Sequence, residues 1–284
     1  MPELPEVEIL ARHLRPVLRG RTIRAVEIRR PKVLQPTSAA QFRKLLRGAK
    51  FTGLTRRGKY LLFELCAKNS RAKFILLGHL GMTGRMYLAR KNGPLHKHAA
   101  VVLDLGVRNF IYEDTRYFGR LTLDLSAVAR LGPEPLEEAF TPELLARELK
   151  RSRQPVKVKL LDQSLVAGIG NIYASEALFL AGISPRRAAN RLTRQQVAKL
   201  WQAIRDVLTA AIAGGSTVPL NFSPRKSDGL FYYGSAAGGP DFYTERLRVY
   251  DRHGERCLNC NTPVKRIVQA ARSTFFCPNC PLTH

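Results

Sequence analysis

The chain has 284 residues, 45% of them apolar, which excludes a disordered protein and allows two domains and a small appendage, each with its own core. Its 47 Lys and Arg against 22 Asp and Glu give a net charge of +25, distributed along the chain rather than in one tail. Nucleic acid is the partner that such a charge fits best, because a polyanion gains from counterion release over many phosphate contacts; the alternative is a basic protein kept soluble by its charge. No run approaches the roughly 18–20 apolar residues of a membrane-spanning helix, and the first residues lack the apolar core of a signal peptide. The expectation is a cytoplasmic protein with no membrane partner.

The chain opens Met1-Pro2-Glu3-Leu4-Pro5-Glu6-Val7-Glu8. Two readings compete there. Prolines and acids in a first turn are an ordinary helix start, favoured by the helix dipole. If Met1 is removed, however, Pro2 presents a free secondary amine with a carboxylate next to it, a pairing suited to Schiff-base chemistry on a sugar aldehyde. A generic α-amino group has a pKa of about 7.7–8.0 against about 10.4 for lysine, so more of it is nucleophilic at neutral pH. Val7, Leu10, Leu14 and Leu18 then recur at helical spacing, predicting an anchoring helix that ends near Gly20.

From residue 22 to 125 the pattern changes to short apolar runs at 23–28, 60–65, 74–77, 99–105, 110–112 and 121–125. These predict the strands of a β-sandwich or barrel, with Cys66 a buried thiol at the end of one run. The intervening stretches carry cations and aromatics beside glycines: Arg56-Arg57-Gly58-Lys59, the 78–84 loop and Asp114-Thr115-Arg116-Tyr117-Phe118-Gly119. Such loops are ordinary solvated turns in many proteins, but they also suit a surface that grips a nucleic-acid backbone and wedges into a base stack.

Residues 131–135 read as a linker, and beyond them the pattern is helical. Helices are predicted at 143–150, 156–165 and 171–181, the last preceded by the tight turn Ala167-Gly168-Ile169-Gly170. A helix, a short glycine turn and a second helix whose N-terminus can hold phosphate form a DNA-docking arrangement. Thr193-x-x-Gln196 is a capping box for a long helix reaching Gly214-Gly215. Residues 216–244, rich in Gly, Ser, Pro and aromatics, read as a long functional loop.

Cys257-x2-Cys260 and Cys277-x2-Cys280, 16 residues apart, have the spacing of a four-cysteine zinc ribbon, and a closed thiolate set implies one structural Zn2+ per chain. A disulfide reading fits a reducing compartment poorly. Lys265, Arg266 and Arg272 fall between the pairs, on an expected β-hairpin.

Together, the opening Pro2-Glu3-Leu4-Pro5-Glu6, the stretch Leu161-Asp162-Gln163-x3-Ala167-Gly168-Ile169-Gly170-Asn171-Ile172-Tyr173-Ala174-Ser175-Glu176 and the cysteine finger strongly resemble bacterial formamidopyrimidine-DNA glycosylases. The resemblance implies an α+β protein with an N-terminal β-sandwich (2–130), a helix-two-turn-helix domain with a lesion-capping loop (136–244) and a zinc finger (245–284), DNA lying between the domains. It implies a monomeric, nucleoid-associated bacterial enzyme of base excision repair acting on damaged double-stranded DNA. In it, Pro2 is the nucleophile, Glu3 the general acid, and Lys59 and Arg272 phosphate-gripping groups that assist the chemistry. His79 and Asn171 match phosphate contacts, Glu6 an acid near the lesion pocket, and Lys157 a lysine of lesion processing. Met82, Arg116 and Phe118 match the trio that fills the void left by a flipped nucleotide, Arg116 reading the orphaned cytosine. Leu4 and this trio favour the purine-lesion branch over the endonuclease VIII branch for oxidised pyrimidines; a catalytically silent DNA-binding homologue is the remaining alternative. The long segment 219–243 departs from the family pattern and bears on lesion preference.

Overall fold

The computed structural model describes residues 2–68, 70, 72–214 and 247–280. They divide into two compact units, one built mainly from residues 6–129 with Pro2, the other from Glu3–Pro5, residues 130–214 and residues 247–280. The expected long loop at 216–244 lies outside the described residues.

The first unit contains, in order, α1 (Leu4–Leu18, from Glu6 onward), β1 (Ala25–Ile28), α2 (Ala39–Leu46), β2 (Lys50–Arg57), β3 (Tyr60–Cys66), β4 (Lys73–His79), β5 (Gly84–Arg90), β6 (Ala99–Asp104), β7 (Arg108–Asp114), β8 (Arg120–Thr122) and α3 (Ser126–Ala129). Two antiparallel four-stranded sheets form, ordered β1-β6-β7-β5 and β2-β3-β4-β8. Phe51 and Phe63 from one sheet meet Phe110 from the other with centroids 5.5–6.4 Å apart, so the inner faces form one aromatic core. The apolar stripe of α1, Val7, Leu10, Leu14 and Leu18, is fully buried in that core, as the spacing predicts.

Four elements of the first unit were not expected: β2, β5, α2 and the single turn α3. In β5 burial alternates beneath the arginines, a period-two pattern, whereas in β2 a register shift between Phe51 and Gly53 puts the buried Phe51 and Leu54 three residues apart and breaks the period. For α2 the start signal was legible: Ser38 caps it by accepting from the Gln41 N–H at 3.2 Å. Cys66 is half-exposed rather than buried, because β3 ends there and its thiol turns to the Ser70 carbonyl at 3.1 Å.

The second unit contains α4 (Pro142–Lys150), α5 (Val156–Leu160), α6 (Asn171–Leu180), α7 (Arg194–Gly214) and the hairpin β9 (Lys265–Gln269) and β10 (Arg272–Phe276). The capping box at α7 is reciprocal: the Gln196 N–H donates to Thr193 Oγ1 at 3.2 Å and the Thr193 N–H to Gln196 Oε1 at 3.1 Å. Helix α5 stops five residues earlier than expected. The Asp162 carboxylate captures the Ser164 N–H at 2.9 Å and its hydroxyl at 2.6 Å, an Asx turn that competes with further helix. The expected linker is packed rather than loose: the Gly132 N–H donates to the Gln163 carbonyl, the Ala167 N–H to the Pro133 carbonyl, and Glu134 is buried.

Candidate active site

In the second unit the buried Glu3 side chain lies at the N-terminus of α6. Its carboxylate accepts from the N–H groups of Gly170 at 2.7 Å, Ile172 at 2.9 Å and Tyr173 at 3.4 Å. Those donors are the ones a helix start leaves without an intrahelical partner, and the helix dipole offsets the cost of burying a carboxylate there. The approach requires glycine at 170, since a Cβ would fall on the Glu3 carboxyl group. The turn feeding this helix is braced by Gln163, which donates to the carbonyls of Leu161 and Ile169 and accepts from the Gly168 N–H at 3.0 Å. The sequence therefore places a carboxylate next to Pro2, and the 161–172 stretch shapes a socket for it.

Lys157 and Asn171 form a joint with the finger hairpin. The Lys157 ammonium, on a residue only 1% exposed, donates to Asn171 Oδ1 at 2.6 Å, Thr274 Oγ1 at 2.7 Å and the Ser273 carbonyl at 3.0 Å. Asn171 Nδ2 donates to the same carbonyl at 2.8 Å. Burial pushes the lysine pKa down to about 8; Glu3 opposes the shift and Arg272 adds to it. With all three protons donated, Lys157 is a structural joint in this conformation. Arg272 follows Ala270 and Ala271, both at positive φ, and stands exposed at the hairpin turn.

The four finger cysteines converge, their sulfurs all within 4.8 Å of one another. The Cys257–Cys280, Cys260–Cys277 and Cys260–Cys280 sulfurs, 3.4–3.5 Å apart, are near the spacing of a tetrahedral site with Zn–S bonds of about 2.3 Å and far beyond a disulfide bond. Cys257, Cys260, Cys277 and Cys280 thus fit one zinc ion held as a structural cross-link. Sequence reasoning gave no role to Glu176, on the buried face of α6. Its carboxylate accepts from three consecutive N–H groups, Arg248, Val249 and Tyr250, at 2.8–2.9 Å, fixing the chain at the entry to the finger. Burial pushes its pKa up, against the pull of those three donors and of the Arg248 charge.

In the first unit Pro2 and Glu6 are buried at the start of the chain. Lys59 occupies the second position of the tight β2–β3 turn, after Gly58 at φ +57, and is 7% exposed. The next residue, Tyr60, pairs across the sheet with His79, their rings stacked at 4.7 Å. Burial first, then the charges of Lys59 and Arg120, push the His79 pKa down to about 4, with Asp114 opposing. Its Nδ1 accepts from the Gly81 N–H at 3.3 Å.

Met82, Arg116 and Phe118 are brought together from two loops. Met82 and Phe118 are 49% and 52% exposed; a guanidinium nitrogen of Arg116 lies 3.3 Å from the Met82 sulfur, and its central carbon 4.7 Å from the Phe118 ring centre. Three large exposed side chains in one cluster, with no core to cover them, are the composition of an intercalating wedge.

Among the described residues no helix is long and apolar enough to cross a membrane. Family models match three segments: the formamidopyrimidine-DNA glycosylase N-terminal domain over residues 1–121, the H2TH domain of the same enzymes over 131–221, and a zinc finger found in FPG and IleRS over 254–280. The chain is 39% identical over 280 residues to the formamidopyrimidine-DNA glycosylase of Carboxydothermus hydrogenoformans, covering 99% of each, and 42% identical over 287 residues to that of Thermus thermophilus, covering 99% and 98%. Among solved structures it is similar to MutM in complex with DNA containing carbocyclic 8-oxo-G (TM-score 0.87, 33% identity, 99% and 100% coverage). It is also similar to Lactococcus lactis Fpg with abasic-site DNA (TM-score 0.85, 34% identity, 99% and 100% coverage).

Proposed function

The chain belongs to the formamidopyrimidine-DNA glycosylase family, and on that premise we propose that it excises oxidised purines, 8-oxoguanine and formamidopyrimidines, from double-stranded DNA and then cuts the strand. The observation that carries this reading is the Glu3 carboxylate, seated on the N-terminus of α6 by three N–H groups and adjacent in sequence to Pro2.

The lesion leaves the base stack, since its glycosidic carbon is inaccessible there. With Met1 removed, the Pro2 amine attacks C1′ as the bond from C1′ to the base breaks. Addition frees the Pro2 N–H proton, which passes to the Glu3 carboxylate and from it to the ring oxygen as the sugar opens, leaving an iminium between Pro2 and C1′. That cation acidifies the C2′ proton; its loss expels the 3′-phosphate, and a second elimination expels the 5′-phosphate. Lys59, His79, Asn171 and Arg272 hold phosphates, Arg272 from the tip of the zinc-fixed hairpin. Met82, Arg116 and Phe118 fill the vacated space, Arg116 facing the orphaned cytosine, while Glu6 and Lys157 support the pocket and its scaffold. The enzyme acts as a cytoplasmic bacterial monomer.

Borohydride trapping on duplex DNA with 8-oxoguanine opposite cytosine tests the reading. Protein with a verified Pro2 terminus forms a covalent adduct, and Glu3→Gln loses excision while still binding DNA. Binding without any adduct would make the protein a silent homologue. Faster cutting at thymine glycol or 5-hydroxyuracil would move it to the pyrimidine branch.

A further inference from the structure

The two loops that carry Met82 and the Arg116–Phe118 pair share one buried acceptor. Asp114, at the end of β7, is fully buried, and each of its carboxylate oxygens is used twice. Oδ1 accepts from the Thr83 hydroxyl at 2.6 Å and the Arg116 N–H at 3.1 Å; Oδ2 accepts from the Gly119 N–H at 2.8 Å and the Tyr112 hydroxyl at 3.3 Å. Thr83 Oγ1 in turn accepts from the Arg116 N–H at 3.2 Å. The residue after Met82 and the residues bounding the 116–119 loop are thus bonded to one side chain.

Three further observations show how tightly this assembly is held. The loops touch backbone to backbone: Gly81 has φ +60, and a Cβ there would lie 2.6 Å from the Gly119 nitrogen. Between Arg116 and Phe118, Tyr117 adopts φ +54, uncommon for a bulky residue, and its hydroxyl is held by Arg30 Nε at 3.1 Å and the His98 ring at 3.3 Å. Asp114 is itself fixed through its N–H, which donates to the His98 carbonyl at 3.1 Å.

We propose that Asp114 is a positioning residue for opposite-base recognition, a buried carboxylate that fuses the Met82 loop and the Arg116–Phe118 loop into one preformed wedge. The proposal rests on the assignment of Met82, Arg116 and Phe118 to the void left by the flipped nucleotide. A wedge ordered before binding presents the Arg116 guanidinium at one depth and angle, so a pyrimidine and a purine opposite the lesion are told apart by fit. Without the carboxylate the loops move separately, and Arg116 can follow either base.

The measurement is the ratio of single-turnover excision rates for 8-oxoguanine opposite cytosine and opposite adenine. A loss of folded protein scales both rates alike and leaves the ratio unmoved, so the ratio separates positioning from stability. Asp114→Asn keeps the shape but replaces one acceptor oxygen by a donor facing donors; the ratio is expected to fall about five- to tenfold, towards that of Arg116→Ala. Thr83→Val, which removes a single bond of the network, lowers it less. If Arg116→Ala loses discrimination while a folded Asp114→Asn keeps it, the proposal is overturned and the wedge assignment stands. If Arg116→Ala itself keeps the wild-type ratio, the wedge assignment fails and this proposal with it. Should Asp114→Asn not fold, Thr83→Val decides, an unchanged ratio overturning the proposal and a lowered one supporting it.

Discussion

The His79 ring, proposed above to meet a phosphate, shows how the sheet tunes one residue. Stacked on Tyr60 and flanked by the charges of Lys59 and Arg120, it has a pKa near 4 against the usual 6.5. At neutral pH the ring is therefore neutral, a hydrogen-bonding group that leaves the positive charge to Lys59 and Arg120. Across the interval from 6.5 down to 4 the unfolded chain takes up a proton that the folded chain refuses. The stability linked to His79 is intact above the unfolded value and is lost as pH falls towards 4. NMR titration of the ring in the free protein is expected to give a midpoint near 4; a midpoint at 6 or above would show that the ring is solvated. The roles proposed for single residues were legible from motifs, because Pro2-Glu3 and the 161–176 stretch are short and contiguous. Asp114 and Glu176 were in plain sight but without a role: the three donors to Glu176 and two of the four to Asp114 are backbone N–H groups, and the two hydroxyls on Asp114, Thr83 and Tyr112, belong to no motif.

At the scale of elements, the finger hairpin turns on two residues, Ala270 and Ala271, at φ 45 and 59, where glycine or asparagine is the usual choice. A left-handed alanine costs about 1–2 kcal/mol, of which glycine recovers all but its own entropic cost of roughly 0.5–1 kcal/mol. Ala271→Gly is accordingly expected to raise the stability of the zinc-loaded protein by about 0.5–1 kcal/mol, read by denaturant titration; a fall would mean that the methyl group packs in a way its exposure belies. Helices with an apolar stripe and a start signal, the Pro and Glu turn of α1 and the capping box of α7, were readable from the sequence. β2 and β5 were not: in β5 arginines broke a run whose buried positions alternate, and in β2 the register shift between Phe51 and Gly53 removed the period itself. α5 was over-extended because periodicity continued past the point where the Asp162 side chain had already redirected the backbone.

Over the whole molecule, a net charge of +25 and the full-length relatedness to DNA glycosylases point to the same partner. The charge gave the class of partner and the family its chemistry; neither indicated how the second unit ties its parts together. That depends on long-range contacts: Lys157 to Ser273 and Thr274, Glu3 to the start of α6, and Glu176 to residues 248–250. The last of these has an evolutionary consequence. The described chain ends α7 at Gly214 and is held again from Arg248 by a carboxylate on α6, which fixes the entry to the finger. Insertions and deletions between these two points are expected to be tolerated in a lineage, because the Glu176 catch holds the entry to the finger whatever their length. Deleting the 234–239 stretch is therefore expected to leave the melting temperature of the zinc-loaded protein within a few degrees of the parent while altering its preference among lesions; a collapse of the melting temperature would show that the segment itself anchors the finger.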